Sequence, residues 1–177
     1  NIDEAIRYYK MAIENGNTAA MNNYANILEK GKGVAANIDE AIRYYKMAIE
    51  NGNTAAMNNY ANILEKGKGV AANIDEAIRY YKMAIENGNT TAMRNYAILL
   101  KKGEGVEKNT LEANKYYKMS ADLGFLSSIK DYAYNLYIGD GIEQNQEEAF
   151  KYYKLGAEQG DSFSLNMCGY MLDLGEG

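Results

Sequence analysis

The 177-residue sequence contains no histidine, tryptophan or proline, and it has a single cysteine. Without histidine, the chain cannot form Ser-His or Cys-His nucleophile pairs or most zinc sites. One cysteine excludes an internal disulfide framework. No apolar run approaches the roughly 18 residues that a membrane span requires. These absences argue against an enzyme, and we expect no catalytic residue, cofactor site or metal site.

The formal net charge of the chain is −5. A general nucleic-acid binder needs a basic face to meet phosphate groups, so this charge favours a protein or peptide partner and not a nucleic acid. The chain begins within a helix-start pattern, without methionine or an apolar leader. We therefore expect the native N-terminus to lie upstream. The single cysteine and the lack of a visible signal favour the cytoplasm.

Internal repetition is the strongest pattern in the sequence. Residues 1–36 and 37–72 are identical, and an asparagine opens each 36-residue period through Asn145. A fixed period of roughly 20–50 residues indicates a stacked repeat array. We therefore predict one array domain over 1–177, made of repeat 1 (1–36), repeat 2 (37–72), repeat 3 (73–108), repeat 4 (109–144) and repeat 5 (145–177).

Each repeat carries the start and stop signals of two helices. Asn1 and Glu4 form a capping-box pattern at the first helix, and Asn17 or Thr18 is placed to cap the second. Gly31 follows the second helix, where glycine supplies the left-handed conformation that ends a helix. Each repeat is therefore predicted to be a pair of short antiparallel helices.

Apolar residues recur at helical spacing in both predicted helices. Isolated helices of this length are marginal in water, so neighbouring pairs must stack to bury their apolar stripes. The prediction is an all-α solenoid of about ten helices. In repeat 1 the two stripes are Ala5, Tyr8, Tyr9, Ala12 and Ile13, and then Ala20, Met21, Tyr24, Ile27 and Leu28.

Two motifs resemble a known superfamily. The run from Asp3 to Ala12 is similar to the second helix of a tetratricopeptide motif. The loop Gly31-x-Gly33-Val34, together with the period of 36, resembles the Sel1-like branch of that superfamily. The resemblance covers all five repeats. It implies a right-handed superhelix whose concave groove is lined by helices of the 18–30 type and binds extended peptides.

The helical phase then predicts which side chains face that groove. In repeats 1 and 2 they are mainly asparagines, which can donate and accept hydrogen bonds along a peptide backbone. The alternative is that these asparagines fill a solvated helix face. The predicted binding residues in this part of the chain are Asn22, Asn26, Asn58 and Asn62.

From repeat 3 onward the same phases become cationic and aromatic. Arg94 and Lys130 would be stacked neighbours, and like charges held close favour an anion between them. The hypothesis is that this stretch receives an acidic side chain or a terminal carboxylate of a partner. The alternative is a solvated basic face with helix-terminal lysines. The predicted residues are Arg94, Lys101, Lys102, Lys130, Tyr134, Tyr137, Asn166 and Tyr170.

The remaining aromatic and thiol groups are predicted to be structural. Tyr8, Tyr9 and Tyr24 recur in phase, which is typical of packing between repeats with the hydroxyl at a polar rim. Cys168 takes the phase of Tyr24, so we expect a buried thiol.

Three functional hypotheses remain open at this stage. The first is a non-enzymatic adaptor that holds a partner in its groove. The second is an architectural component that packs through its edges in a larger complex or filament. The third is an engineered array without a natural ligand, because two identical copies fit either recent duplication or synthesis. Repeats 2 and 3 differ at positions 91, 94, 98 and 101 in the predicted groove, which favours binding.

Overall fold

A computed structural model describes residues 1–176 of the chain. Over these residues the chain forms ten helices and no strand, which confirms the predicted all-α class. None of these helices is long and apolar enough to cross a membrane. In chain order the helices α1 to α10 span Ile2–Glu14, Thr18–Lys30, Ile38–Glu50, Thr54–Lys66, Ile74–Glu86, Thr90–Lys102, Thr110–Asp122, Leu126–Ile138, Gln146–Glu158 and Ser162–Asp173.

The helices group into two compact units, Asn1–Asn89 and Thr90–Gly177. The first unit contains α1 to α5 and the second contains α6 to α10. Consecutive helices pack against each other within each unit. The prediction of a single array domain over 1–177 stays a prediction.

The predicted caps begin most of the helices. The side chain of Asn37 accepts a hydrogen bond from the backbone N–H of Glu40 and donates one to the Glu40 carboxylate. The backbone N–H of Asn37 donates to the Leu28 carbonyl, so the predicted capping box forms only in part. At α1, Asn1 accepts from Asp3 instead of Glu4. Asn17, and not Thr18, caps α2 by accepting from the backbone N–H of Ala20. These bonds satisfy backbone donors that the helix itself leaves free.

The glycine loop after the second helix of repeat 1 depends on close approach. Gly31 ends α2 in the left-handed conformation, with φ 63°. Gly33 has φ 71°, and a β-carbon added there would lie 2.3 Å from a methyl carbon of Ile2. The loop therefore packs directly on the start of the first helix of its own repeat, and a larger residue would displace it.

The apolar stripes form the core of each unit. In repeat 2, Ala41, Tyr45 and Ala48 of the first-helix stripe are fully buried, whereas Tyr44 and Ile49 are half-buried. The whole second-helix stripe of repeat 1 is buried as predicted. Tyrosines join successive repeats through edge-on ring contacts with centroids about 5 Å apart. These ring pairs are Tyr24–Tyr44 (5.0 Å) and Tyr60–Tyr80 (5.0 Å) in the first unit, and Tyr96–Tyr116 (5.1 Å) and Tyr132–Tyr152 (4.8 Å) in the second. The prediction that the periodic tyrosines pack between repeats is confirmed.

Candidate partner-binding face

The predicted binding residues lie on α2 and α4 in the first unit and on α6, α8 and α10 in the second. We call this side of the even-numbered helices, in each unit by itself, the second-helix face. Their exposure differs from the prediction in a systematic way. Asn22 and Asn58 are buried, whereas Asn26, Asn62, Arg94, Lys101, Lys130 and Tyr137 are half-buried. The exposed members are Lys102, Tyr134, Asn166 and Tyr170.

In the first unit, the asparagines connect successive repeats. The side-chain NH2 group of Asn59 donates to the side-chain oxygen of Asn22 at 2.9 Å, which links α4 to α2. Asn26 and Asn62 donate to the backbone oxygens of Asn22 and Asn58 in the preceding helical turn. Many of the side-chain amide groups that were predicted to bind a ligand therefore form hydrogen bonds within the protein. This use also explains why a poor helix former recurs in these helices.

A glutamate on the same face connects α2 to the next repeat. Glu29 accepts from the Tyr45 hydroxyl at 2.9 Å and pairs with the Lys68 ammonium group at 2.9 Å. In repeat 2, Glu65 accepts from Tyr81 at 2.6 Å in the same way. Burial, followed by the nearby glutamate, raises the pKa of Tyr45 and Tyr81 above the usual tyrosine value.

In the second unit, carboxylates of the protein form ion pairs with the side chains of the predicted cationic stretch. Arg94 pairs with Asp131 at 2.6 Å, Lys101 with Asp140 at 2.6 Å, and Lys130 with Asp161 at 3.0 Å. Each acid comes from the repeat that follows its cation. Arg94 and Lys130 therefore need no external anion, and the like-charge argument for an acidic ligand loses its basis. Lys102, which is exposed, lies 3.4 Å from Glu104.

A buried amide pair that the repeat pattern did not predict lies beneath this cationic row. Asn135 donates to the side-chain oxygen of Asn114 at 2.7 Å, and Asn114 donates to the Asp140 carbonyl at 2.7 Å. The Asn135 oxygen accepts from Lys101 at 3.0 Å. Repeats 1 and 2 have isoleucine at both equivalent positions. The sequence feature that could have predicted this pair is the change from isoleucine to asparagine at both positions of the same repeat.

Two exposed tyrosines recur on the even-numbered helices of the second unit. Tyr134 and Tyr170 occupy the same position in repeats 4 and 5, and they are 48% and 50% exposed. Tyr137 lies beside the Glu176 carboxylate, and its pKa is raised by burial and then by that carboxylate. We call Tyr134, Tyr137 and Tyr170 the tyrosine surface. They combine apolar area with hydroxyl groups, so they suit contact with another chain.

Cys168 differs from its prediction. It is half-buried, not buried, although Tyr24 at the equivalent position is buried. Burial still raises the pKa of the thiol above its usual value, so the thiolate is disfavoured.

The surface on the odd-numbered helices offers a depression of about 510 Å3 near Asp122, Glu147 and Lys151. Its charges are paired within the protein. Lys151 lies 2.7 Å from Glu147, and Asp122 accepts from Tyr152 at 2.6 Å and from Lys118 at 2.8 Å. No charged group among those named is left to orient a ligand.

The buried tyrosines make stability sensitive to alkaline pH. Burial raises the pKa of Tyr117 and Tyr153 to about 12, from an ordinary value of 10.0. Because the folded pKa lies above the unfolded one, their contribution is complete below pH 10 and is lost as the pH rises through 12. We expect the free energy of unfolding to fall steadily over this range.

The absorbance of tyrosinate measures the ionisation of these tyrosines directly. In the native protein a late phase should appear near pH 12, and it should move to about pH 10 once urea unfolds the chain. A single native phase near pH 10 would contradict the burial of these hydroxyls.

Comparison with known proteins agrees with the helix pattern. The Sel1 repeat family matches residues 1–17, 18–53, 54–89, 90–125 and 127–161. The chain belongs to the Sel1 repeat family. This confirms the resemblance, including the frame in which the family unit begins at the second helix of our repeat. Sel1 repeats generally serve as non-catalytic protein-interaction scaffolds. No curated protein sequence matches the chain.

Solved structures of Sel1 repeats share the fold. A Sel1 repeat protein from Oxalobacter formigenes is 27% identical with a TM-score of 0.87, over 97% of this chain and 70% of that one. A protective antigen of uropathogenic Escherichia coli that displays an SLR fold is 26% identical with a TM-score of 0.83. The match covers 96% of this chain and 36% of the antigen. Helicobacter pylori cysteine rich protein B, at 19% identity and a TM-score of 0.54 over 71% of this chain and 96% of its own, shares the fold alone.

Proposed function

We propose that the protein is an adaptor that binds an extended segment of a partner protein on the second-helix face, with the tyrosine surface as its main contact. The observation that carries the proposal is the half-exposed pair Tyr134 and Tyr170 at one position of adjacent repeats. Tyrosine is enriched among the residues that dominate binding energy at protein interfaces. Two such rings at the repeat spacing offer successive contacts to an extended chain.

The contacts of this face also support a particular ligand chemistry. Arg94, Lys101 and Lys130 already pair with carboxylates, so an acidic ligand group would have to displace them. The tyrosine surface needs no such displacement. We therefore expect apolar or aromatic side chains and backbone groups of the partner to contribute most of the affinity. Asn166, which is exposed, is the candidate for a carboxylate contact, whereas Lys102 already lies 3.4 Å from Glu104.

Packing through the edges is the second candidate, and one observation favours it. Met119, Leu123 and Leu155 are exposed on α7 and the segment that follows it, and on α9. Apolar residues exposed together on one surface are typical of contact sites. A partner that packs there would contact the odd-numbered helices and leave the tyrosine surface free.

A random peptide display library separates the two candidates. Peptides selected on the full chain should bind it with an affinity that falls by about 10- to 100-fold in a Tyr134→Ala/Tyr170→Ala variant, because each ring is a large contact. Fluorescence anisotropy of labelled peptides measures the loss. The matched control is Met119→Ser/Leu155→Ser, which alters only the odd-numbered helices and should leave the affinity unchanged.

The reversed pattern, with loss only in the Met119→Ser/Leu155→Ser variant, would favour edge packing. Equal affinity in all three proteins would reject both contact surfaces. Circular dichroism melts show whether each variant remains folded.

A further inference from the structure

One buried tyrosine of the second unit has no counterpart of the acceptor that its equivalents use. Tyr45 donates its hydroxyl to Glu29, on the second helix of the preceding repeat, and the same bond recurs one repeat later. Tyr153 occupies the position of Tyr45 in repeat 5, but Tyr137 stands at the position of Glu29 in repeat 4. Among the described residues, the buried Tyr153 hydroxyl has no hydrogen-bond partner. A buried hydroxyl without a partner is costly, so this position calls for an explanation.

The side chain of Tyr153 cannot resolve this by turning. Its ring is fully buried, and the hydroxyl lies at the end of that rigid ring. Ser128 also has a buried hydroxyl without a partner, but a serine side chain is short and can rotate toward a carbonyl of its own helix. The unused donor of Tyr153 therefore has a fixed place in the fold.

The Tyr153 hydroxyl lies beneath the tyrosine surface. The pKa of this group is raised by burial and then by the neighbouring Tyr134, Tyr137 and Cys168, which belong to α8 and α10. Tyr134 is 48% exposed and Tyr137 is half-buried. Rotamer changes of such surface side chains are common when proteins bind. A rotation of these rings gives a ligand on this face access to the hydroxyl without a change in the core.

An exposed phenylalanine adds an apolar contact at the same place. The ring of Phe163 contacts the ring of Tyr153 edge-on, with centroids 6.1 Å apart, and Phe163 is 47% exposed. Repeats 1 to 4 have alanine, alanine, threonine and serine at this position, and both alanines are exposed as well. The exposure therefore follows from the helical phase, and the aromatic side chain is peculiar to repeat 5. Aromatic residues are enriched at protein interfaces.

The charges near the hydroxyl favour one kind of acceptor. In the first unit the acceptor is the carboxylate of Glu29, and Lys68 balances its charge. At the position of Lys68, repeat 5 has Glu176, which lies beside Tyr137. Another carboxylate would be repelled there, whereas a neutral carbonyl oxygen would not. Every residue of an extended segment carries such an oxygen in its backbone.

We propose that the Tyr153 hydroxyl donates a hydrogen bond to a backbone carbonyl of the bound partner segment, between Tyr134 and Phe163. This inference rests on the proposed function and names the group of the partner that the tyrosine surface binds. Tyr134 and Phe163 contact the neighbouring apolar side chains of the segment. The bond gives Tyr153 in the complex the kind of partner that Tyr45 has within the first unit.

Removal of the hydroxyl alone tests the proposal with peptides selected from the random library. Tyr153→Phe should lower their affinity for the full chain by about 3- to 10-fold in fluorescence anisotropy, the usual effect of losing one hydrogen bond. The melting temperature should not fall, since the hydroxyl has no partner among the described residues of the free protein. Tyr45→Phe is the matched control. It should lower the melting temperature by about 2–4 °C, through the lost bond to Glu29, and leave the affinity unchanged.

An acceptor supplied within the protein tests the same bond in a second way. Tyr137→Gln places an amide oxygen at the position that Glu29 has in repeat 1, where it can accept from Tyr153. In this background Tyr153→Phe should no longer lower the peptide affinity, and it should lower the melting temperature by about 2–4 °C. Tyr137→Leu removes the same ring without supplying an acceptor. In that background Tyr153→Phe should still lower the affinity by about 3- to 10-fold.

Four outcomes would contradict the proposal. Unchanged affinity of Tyr153→Phe, with the loss in Tyr134→Ala/Tyr170→Ala retained, would reject the hydrogen bond and leave the proposed function intact. A lower melting temperature of Tyr153→Phe would show that the hydroxyl is already bonded in the free protein. If alanine in place of one polar side chain of the peptide removed the effect of Tyr153→Phe, the acceptor would be that side chain and not the backbone. Peptide affinity that does not depend on Tyr134 and Tyr170 would reject the proposed function and this bond with it.

Discussion

Replacing Tyr45 with alanine should lower the free energy of unfolding by about 3–5 kcal/mol, the usual effect of truncating a buried aromatic residue. Tyr45 is fully buried on α3, and its hydroxyl donates to Glu29. The variant would leave a cavity between two repeats and remove one partner of a half-buried carboxylate. Urea denaturation followed by circular dichroism measures the change.

The sequence supplies an unusually close control. Tyr9 has the same neighbours along the chain as Tyr45, because repeats 1 and 2 are identical, but it is only half-buried. Tyr9→Ala should therefore lower the free energy of unfolding by only about 1–2 kcal/mol. Equal losses at the two positions would mean that contacts within each helix, and not the packing of α3 on α2, account for the stability that Tyr45 contributes.

Replacing Asn135 with leucine should lower the free energy of unfolding by about 2–3 kcal/mol, because buried polar groups left without partners are costly. The side-chain oxygen of Asn114 would lose its donor, and Lys101 would lose an acceptor. Leucine itself fits a helix position that Leu99 fills in repeat 3. The loss should thus come from the unpaired amide and not from size.

A double variant tests whether the unpaired Asn114 amide causes this loss of stability. Asn114→Ile added to Asn135→Leu recreates the apolar pair of the earlier repeats, and it should recover most or all of the lost stability. As a reciprocal control, Ile63→Asn should destabilise repeat 2, since Ile63 is fully buried and has an isoleucine at the paired position. Purely additive effects in the double variant would show that Asn114 and Asn135 are not energetically coupled.

Period and phase alone were enough to predict the scaffold. The spacing of alanines and tyrosines located both apolar stripes, and the asparagines and glycines located the ends of the helices. These features are local or repeat at a fixed interval, so they can be read along one chain. The choice between Asn17 and Thr18 as a cap stayed open, because both residues are good caps and only the backbone geometry decides.

The binding face was harder to predict, since its polar groups can be satisfied from the next repeat. Arg94 is 37 residues from Asp131 in sequence, and they are 2.6 Å apart in space. A helical phase tells which way Arg94 points but not what faces it. The signs of the charges could have predicted one of these contacts. Lys101 and Asp140 stand two repeats after Glu29 and Lys68, at equivalent positions and with both charges reversed. Compensated reversal of this kind indicates contact within the protein, whereas uncompensated change indicates a ligand.

Because repeats 1 and 2 are identical, their helices can pair in more than one way during folding. A helix of repeat 1 and its copy in repeat 2 have the same intrinsic energy in either place, so shifted pairings compete with the native one. In coiled coils a single buried asparagine removes such ambiguity by favouring one alignment. In the second unit, Lys101 of repeat 3 contacts both Asn135 and Asp140 of repeat 4, and repeats 1 and 2 have a glutamate at the position of Lys101. A repeat with glutamate at that position would place like charges against Asp140, so we expect the ion pair to favour repeat 3 as the neighbour of repeat 4.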